Sequence, residues 1–254
     1  MRISIIGSGN IGGAIARGLA KGTMFKASDI TCTAQSDETL EKMRKIDPDF
    51  ILTHDNVEAA RNADIIIIAV KPWRVEMIID EIKSVLDFEK QMIVSVAAGV
   101  TFDLLNTYLT KNTDFDCLAT PTIFRIMPNT AIEVMSSMTF VSARNASKEQ
   151  TDLIIHIFNE LGNAMLVEER LMGAGTALAS SGIAFALRYI REIGTGEPPL
   201  EWYRAILKSY RTVTVTSALC ALPYWKAEKL RFPSISNIQS IDRQVDKWIT
   251  KGEN

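Results

Sequence analysis

A short apolar run from Ile3 to Ile6 breaks into the turn "GSGNIG", and the helical pattern of "GAIARGLAKG" follows at once. Gly7, Gly9 and Gly12 stand at G-x-G-x-x-G spacing. In that spacing the first glycine makes a tight turn, the second lets a pyrophosphate approach the backbone, and the third permits close helix-to-strand packing. Phosphates would meet the free N–H groups and the positive dipole end of a helix beginning near Asn10. The turn therefore predicts a β-α-β unit from Arg2 to Ala34 that holds a dinucleotide through Gly7, Ser8, Gly9, Asn10, Ile11 and Gly12.

The segments that follow keep the same rhythm of short β-rich runs and helical patterns: "DITCTA", "DETLEKMRKI", "FILTH", "NVEAARN", "ADIIIIAV", "WRVEMIIDEIKSVL", "QMIVSVAA" and "TFDLLNTYL". Such alternation predicts a parallel sheet with helices on both faces. The wholly apolar, β-branched "ADIIIIAV" reads as a central strand buried on both sides. After Thr120, "PTIFRIMPNTAIEV" and "SSMTFVSA" are expected to add edge strands, "KEQTDLIIHIFNELG" a helix and "NAMLVEE" one more strand. From about Glu169 the pattern is mainly helical. The fold class expected is α/β, an N-terminal Rossmann-like doubly wound parallel sheet at 1–168 followed by a smaller all-helical domain at 169–254 that serves dimerisation and substrate binding.

Composition narrows the partners. With 254 residues and 47% hydrophobic content the chain can fill a real core. A formal charge of -2, without long runs of one sign, gives no electrostatic reason to expect nucleic acid or an anionic membrane. Cys32, Cys117 and Cys220 stand far apart and form neither a disulfide framework nor a metal-ligand pair, so they read as core thiols in a reducing, cytoplasmic protein. No signal peptide precedes the first strand. The uncharged stretch from Leu171 to Leu187 contains three glycines and several hydroxyl residues, too polar for a membrane span, and reads as a buried helix.

The second strand ends at "TCTAQSD", where an NAD-preferring site usually carries an acid to accept hydrogen bonds from the ribose 2′-hydroxyl. Here that place is Ala34, with Thr33, Gln35 and Ser36 as neutral donors. A 2′-phosphate would meet no repelling carboxylate, so NADP is favoured and NAD is the alternative, although no arginine is at hand to pair with the phosphate. Asp37 reads as the N-cap of the next helix. His54 and His156 belong to no recognisable constellation, and no H-E-x-x-H, G-x-S-x-G or Cys/His cluster exists. No metal is expected. Hydride transfer fits best, because a nicotinamide carries its own reactive chemistry.

Four later segments, "AVKP" at 69–72, "VSVAAGV" at 94–100, "RIMPNTA" at 125–131 and "TALASSGIAF" at 176–185, stand in order behind "GSGNIG". Together they resemble the Δ1-pyrroline-5-carboxylate reductase family over about residues 1–190. The resemblance implies reduction of a cyclic imine to proline by NADPH or NADH. It implies that Val70, Lys71, Pro72, Ala97 and Ala98 border the nicotinamide, that Asn56 lies by the adenosine ribose, and that Asn129 and Thr130 line the reaction cleft. Lys71 and Thr130 are weak catalytic candidates, since the substrate nitrogen can take its proton from solvent. Where the family shows Ser-Gly-Ser-Gly-Pro-Ala-Tyr, Ser181, Gly182 and Ala184 agree; Ala179, Ser180, Ile183 and Phe185 do not.

The C-terminal part departs further. The counterpart of the family's carboxylate-gripping Thr/Ser-Pro-Gly-Gly-Thr-Thr loop is "DKWITKGEN": Thr250 and Gly252 match, Lys251 stands for the proline and Glu253 for a glycine, and the chain stops before the final threonine. Glu253 would bring a like charge to the substrate carboxylate. Two other readings stay open here: a non-catalytic dinucleotide-binding member of the same family, and an oxidoreductase acting on another small molecule such as a hydroxy acid. The small-residue strip at 173–186 implies close helix packing in a homodimer or larger homo-oligomer, with a small-molecule substrate.

Overall fold

The computed structural model describes residues 1–111 and 120–176, all within one compact unit, Met1–Val215. Among them are eight strands: β1 (Ile3–Ile6), β2 (Ile30–Thr33), β3 (Ile51–Thr53), β4 (Ile65–Ile68), β5 (Met92–Ser95), β6 (Thr122–Met127), β7 (Ser137–Arg144) and β8 (Gly162–Leu166). They form one sheet in the order β3-β2-β1-β4-β5-β6-β7-β8. The helices are α1 (Asn10–Lys21), α2 (Asp37–Ile46), α3 (Asn56–Arg61), α4 (Val75–Ile82), α5 (Phe102–Thr110), α6 (Lys148–Asn159) and the short α7 (Met172–Gly175).

Strand β4 shows why the sheet is wound on both faces. Its four isoleucines are each at most 1% exposed. Successive side chains point to opposite faces, so Ile65 and Ile67 join Ile15 and Leu19 of α1 and Ile154 and Phe158 of α6. Ile66 and Ile68 join Val75 and Ile79 of α4 and Leu105 and Leu109 of α5. Burial of each isoleucine contributes roughly 1.5–3 kcal/mol, and a strand that faces water on neither side can use a continuous apolar run. Cys32 lies in the same core, as expected of a structural thiol, and burial pushes its pKa up to about 11, with the Ser8 hydroxyl beside it pulling the other way.

The doubly wound parallel sheet is present from β3 through β6, and two expectations need correction. Strands β6 and β7 are interior rather than edge strands, and β8 forms the edge. Every residue of β6 is buried, Arg125 included, which is the burial pattern of an inner strand. The sheet is also not wholly parallel, because β7 runs antiparallel to β6 while β8 returns parallel to β7. Only residues 128–136 join β6 to β7, too few for a crossover helix. Asp37 does not cap α2: the Ser36 hydroxyl does, accepting from the Thr39 N–H. Among the described residues no helix is long and apolar enough to cross a membrane, and no His, Cys, Asp and Glu group could hold a metal.

The small-residue strip falls mostly on residues outside those described; α7 is its first turn. The expected helical domain at 169–254 is likewise described only at 169–176, and Cys117 and Cys220 lie outside.

Candidate functional site

The parallel register brings the loops of the first five strands to one edge. Ile6 stands opposite both Thr33 and Ile68, and Ile68 opposite Ser95. The chain therefore leaves β1, β2, β4 and β5 at the same level, and β1 and β4 flank the point where strand order reverses. Ligands of open α/β sheets bind in that crevice.

Gly7 turns the chain at φ +96°, a conformation open to glycine, and its N–H donates to the Thr33 carbonyl at 3.2 Å. A side chain on Gly12 would run into the Gly7 carbonyl oxygen and Ala69, so α1 can lie this close to β1 and β4 only without one. Gly9 differs: a Cβ there would meet nothing within 4 Å. Beside this open space begins α1, whose amino end has no side-chain cap and no acid in its first turn. The other described helices of nine residues or more are finished by Ser36, Thr101 and Ser147, each with an acid in the first turn. The bare N–H groups and dipole of α1 fit a pyrophosphate, and Ser8 Oγ is buried there with no partner beyond what the Cys32 thiol can weakly offer.

Two loops flank this turn. After β4, Val70 is half-buried and packs where a Gly7 side chain would be, Lys71 is exposed, and Pro72 opens a short 3-10 turn, Pro72–Arg74. After β5, Ala97 is buried while Ala98 and Gly99 are exposed, so backbone rather than bulk lines that wall. The five residues expected to border a nicotinamide thus share the carboxyl edge with the glycine turn.

On the other flank, Thr33 Oγ1 donates to Asn56 Oδ1 at 2.7 Å, and Asn56 Nδ2 donates to Glu81 at 3.0 Å. Asn56 is therefore locked beside the end of β2. Gln35 Oε1 accepts from Arg74 Nη1 at 2.7 Å. This corrects the expectation that no arginine is at hand, since the 3-10 turn after β4 carries one across to the loop after β2. His54, just beyond β3, sets Nε2 at 2.9 Å from Asp37 Oδ1 and Nδ1 at 2.6 Å from the Ala34 carbonyl. The Asp37 carboxylate, and then that carbonyl, hold its pKa above the ordinary histidine value.

Beyond β5 and β6 lies a cleft of about 400 Å3 lined by Gly99, Thr101, Arg125, Met127, Glu169 and Met172 among others. Its floor is a charged network. Glu169 accepts from the Phe102 N–H at 2.6 Å and from Arg125 Nη1 at 2.7 Å, with Arg144 Nη2 at 3.9 Å. The buried Arg125 guanidinium is tolerated because this partly exposed carboxylate pairs with it. Met127 brings the "MPNT" turn to the cleft. Asn129 is buried, its Oδ1 accepting from the Ala131 N–H at 3.0 Å and its Nδ2 donating to the Met138 carbonyl at 3.5 Å, so it shapes the turn. Thr130 is the first residue of that 3-10 turn. Ser181, Thr250 and Gly252 lie outside the described residues.

Sequence reading missed Arg74, Arg125 and Glu169. Arg125 carried a signal, a lone charge inside the apolar "TIFRIM", which demands a buried partner. Arg74 carried none, for its role depends on Gln35, far away in sequence.

A glycine turn at the strand-order reversal, with an uncapped helix behind it, defines a dinucleotide-binding α/β protein. Residues 2–99 match the family described as NADP oxidoreductase, coenzyme F420-dependent. The chain is 33% identical over 202 residues to pyrroline-5-carboxylate reductase 2 of Dictyostelium discoideum, covering 74% of this chain and 65% of that protein. It is 30% identical over 206 residues to pyrroline-5-carboxylate reductase 1 of the same organism, covering 76% of this chain and 35% of that protein. The alignments thus span less than two thirds of these relatives' lengths. The solved pyrroline carboxylate reductase of Plasmodium falciparum, which holds NADP, has the same fold with a TM-score of 0.66 at 19% identity, over 99% of this chain and 93% of that one. Over about three quarters of its length the chain is thus similar to pyrroline-5-carboxylate reductases.

Proposed function

We propose that this chain is an oxidoreductase that reduces the cyclic imine 1-pyrroline-5-carboxylate to proline by hydride transfer from NAD(P)H. The observation that carries the reading is the uncapped amino end of α1 behind the open Gly9 position, in a chain with this similarity. The α1 amides and the turn Gly7 to Gly12 hold the pyrophosphate, and Asn56, Gln35 and Ser36 stand on the adenosine side. Bound there, the nicotinamide supplies the hydride. Val70, Lys71, Pro72, Ala97 and Ala98 border its ring; the two alanines let it approach the backbone, and Pro72 stiffens the loop. NADP is the cofactor proposed and NAD the alternative, the Plasmodium falciparum protein of like fold being an NADP complex.

The chain's part in the reaction is alignment and exclusion of water, with binding energy spent on holding imine carbon and hydride donor in line. Lys71 is exposed and acts by position, the imine nitrogen taking its proton from solvent. The turn at Asn129 and Thr130 borders the substrate; Ser181, Thr250 and Gly252 are substrate candidates on the resemblance of their segments alone. The protein works as a homodimer or larger homo-oligomer in the cytoplasm.

The test is oxidation of NADPH, or of NADH in parallel, by the purified 254-residue chain with racemic pyrroline-5-carboxylate. Loss of nicotinamide absorbance that depends on the imine is expected. A flat trace with both cofactors contradicts the reading, and a flat trace accompanied by NADPH binding replaces it with a binding protein.

A further inference from the structure

We infer that Arg74, held by Gln35, is the receptor for the 2′-phosphate of an adenosine dinucleotide; this rests on the reading of the crevice as a cofactor site. Strands β2 and β4 lie on either side of β1. The 2.7 Å bond from Arg74 Nη1 to Gln35 Oε1 therefore bridges the two loops that flank the glycine turn, carrying a guanidinium to the loop where the ribose would be read.

The other groups in that loop are already committed. Thr33 Oγ1 donates to Asn56, and Ser36 Oγ caps α2. Acids around that loop are engaged, Asp37 by His54 Nε2 at 2.9 Å, Glu38 by Lys42 Nζ at 2.7 Å and Glu81 by Asn56 Nδ2 at 3.0 Å. Ala34 presents no carboxylate to pair with a ribose 2′-hydroxyl. Arg74, by contrast, has no carboxylate within ion-pair distance among the described residues; its one described polar partner is the neutral Gln35 amide. Gln35 uses a single guanidinium N–H and leaves the fork free for a phosphate oxygen pair, the geometry in which arginine binds phosphate most strongly. Gln35 is then a positioning residue and Arg74 the anion contact.

Two adenosine fragments isolate this contact from catalysis. Calorimetric titration of the full chain with 2′,5′-ADP and with 5′-AMP is expected to favour the former by about tenfold or more. Arg74→Met should bring the two affinities close to parity, and Arg74→Lys should keep part of the preference through its charge. No preference in the unmodified chain, or an equal loss of both ligands in Arg74→Met, overturns the inference. Absence of imine-dependent turnover with the preference intact would overturn the reductase reading and support this one.

Discussion

The turns that leave β1 and β2 lie side by side at one edge of the sheet, yet they are finished in opposite ways. Behind β2, Ser36 caps the amino end of α2, and Asp37 and Glu38 answer its dipole. Behind β1, α1 is longer and has neither cap nor acid. Helix N–H groups are not left unsatisfied without reason. The difference teaches that one turn is complete in itself and the other is built around something that arrives.

That contrast can be broken most severely at Gly12. Any side chain there strikes the Gly7 backbone, which cannot swing aside, so Gly12→Ala should cost about 2–3 kcal/mol of stability and abolish dinucleotide binding. Chemical denaturation and a binding titration read both effects. Gly9→Asp sharpens the comparison, because its Cβ points into open space while its carboxylate gives α1 the acid that α2 already has. Folding should survive, and NADPH affinity should fall about a hundredfold, a loss of about 2.7 kcal/mol, by fluorescence titration.

On the finished side stability should suffer more than binding. Ser36→Ala removes the α2 cap and should lower unfolding free energy by about 1 kcal/mol, while NADPH affinity falls far less than in Gly9→Asp. The smallest effect is expected at His54. Its pKa is raised by Asp37, so the protonated ring's extra stabilisation is complete below about 6.5, the ordinary value, and fades as pH rises through the higher folded value. Melting temperatures from pH 5 to 9 should therefore decline slightly more steeply in the parent than in His54→Gln, the pair being exposed and screened.

What the sequence made legible follows from how local each signal is. The β1 turn, the strand run at Ile65 to Ile68 and the loops at 69–72 and 94–100 are each written within a few residues, and their place at one edge follows from parallel pairing. The position of β6 and β7 was not legible, because alternation of runs does not record which strand turns back; the short connection at 128–136 held that clue. The cap of α2 was misread by one residue, since serine and aspartate both suit the place and only backbone geometry chooses. Arg74 with Gln35, and Glu169 with Arg125, were hidden because each pair joins residues from separate loops or strands, and side-chain pairing across a fold leaves no periodic trace.

The central claim is that the amino end of α1 receives the dinucleotide while that of α2 does not. Amide resonances of the full chain, followed during titration with NADPH, test it most directly. The account predicts the largest shifts at Gly9, Asn10, Ile11 and Gly12, with the Thr39 amide, bonded to Ser36, nearly still. Saturable NADPH binding that leaves residues 9–12 unmoved would contradict it.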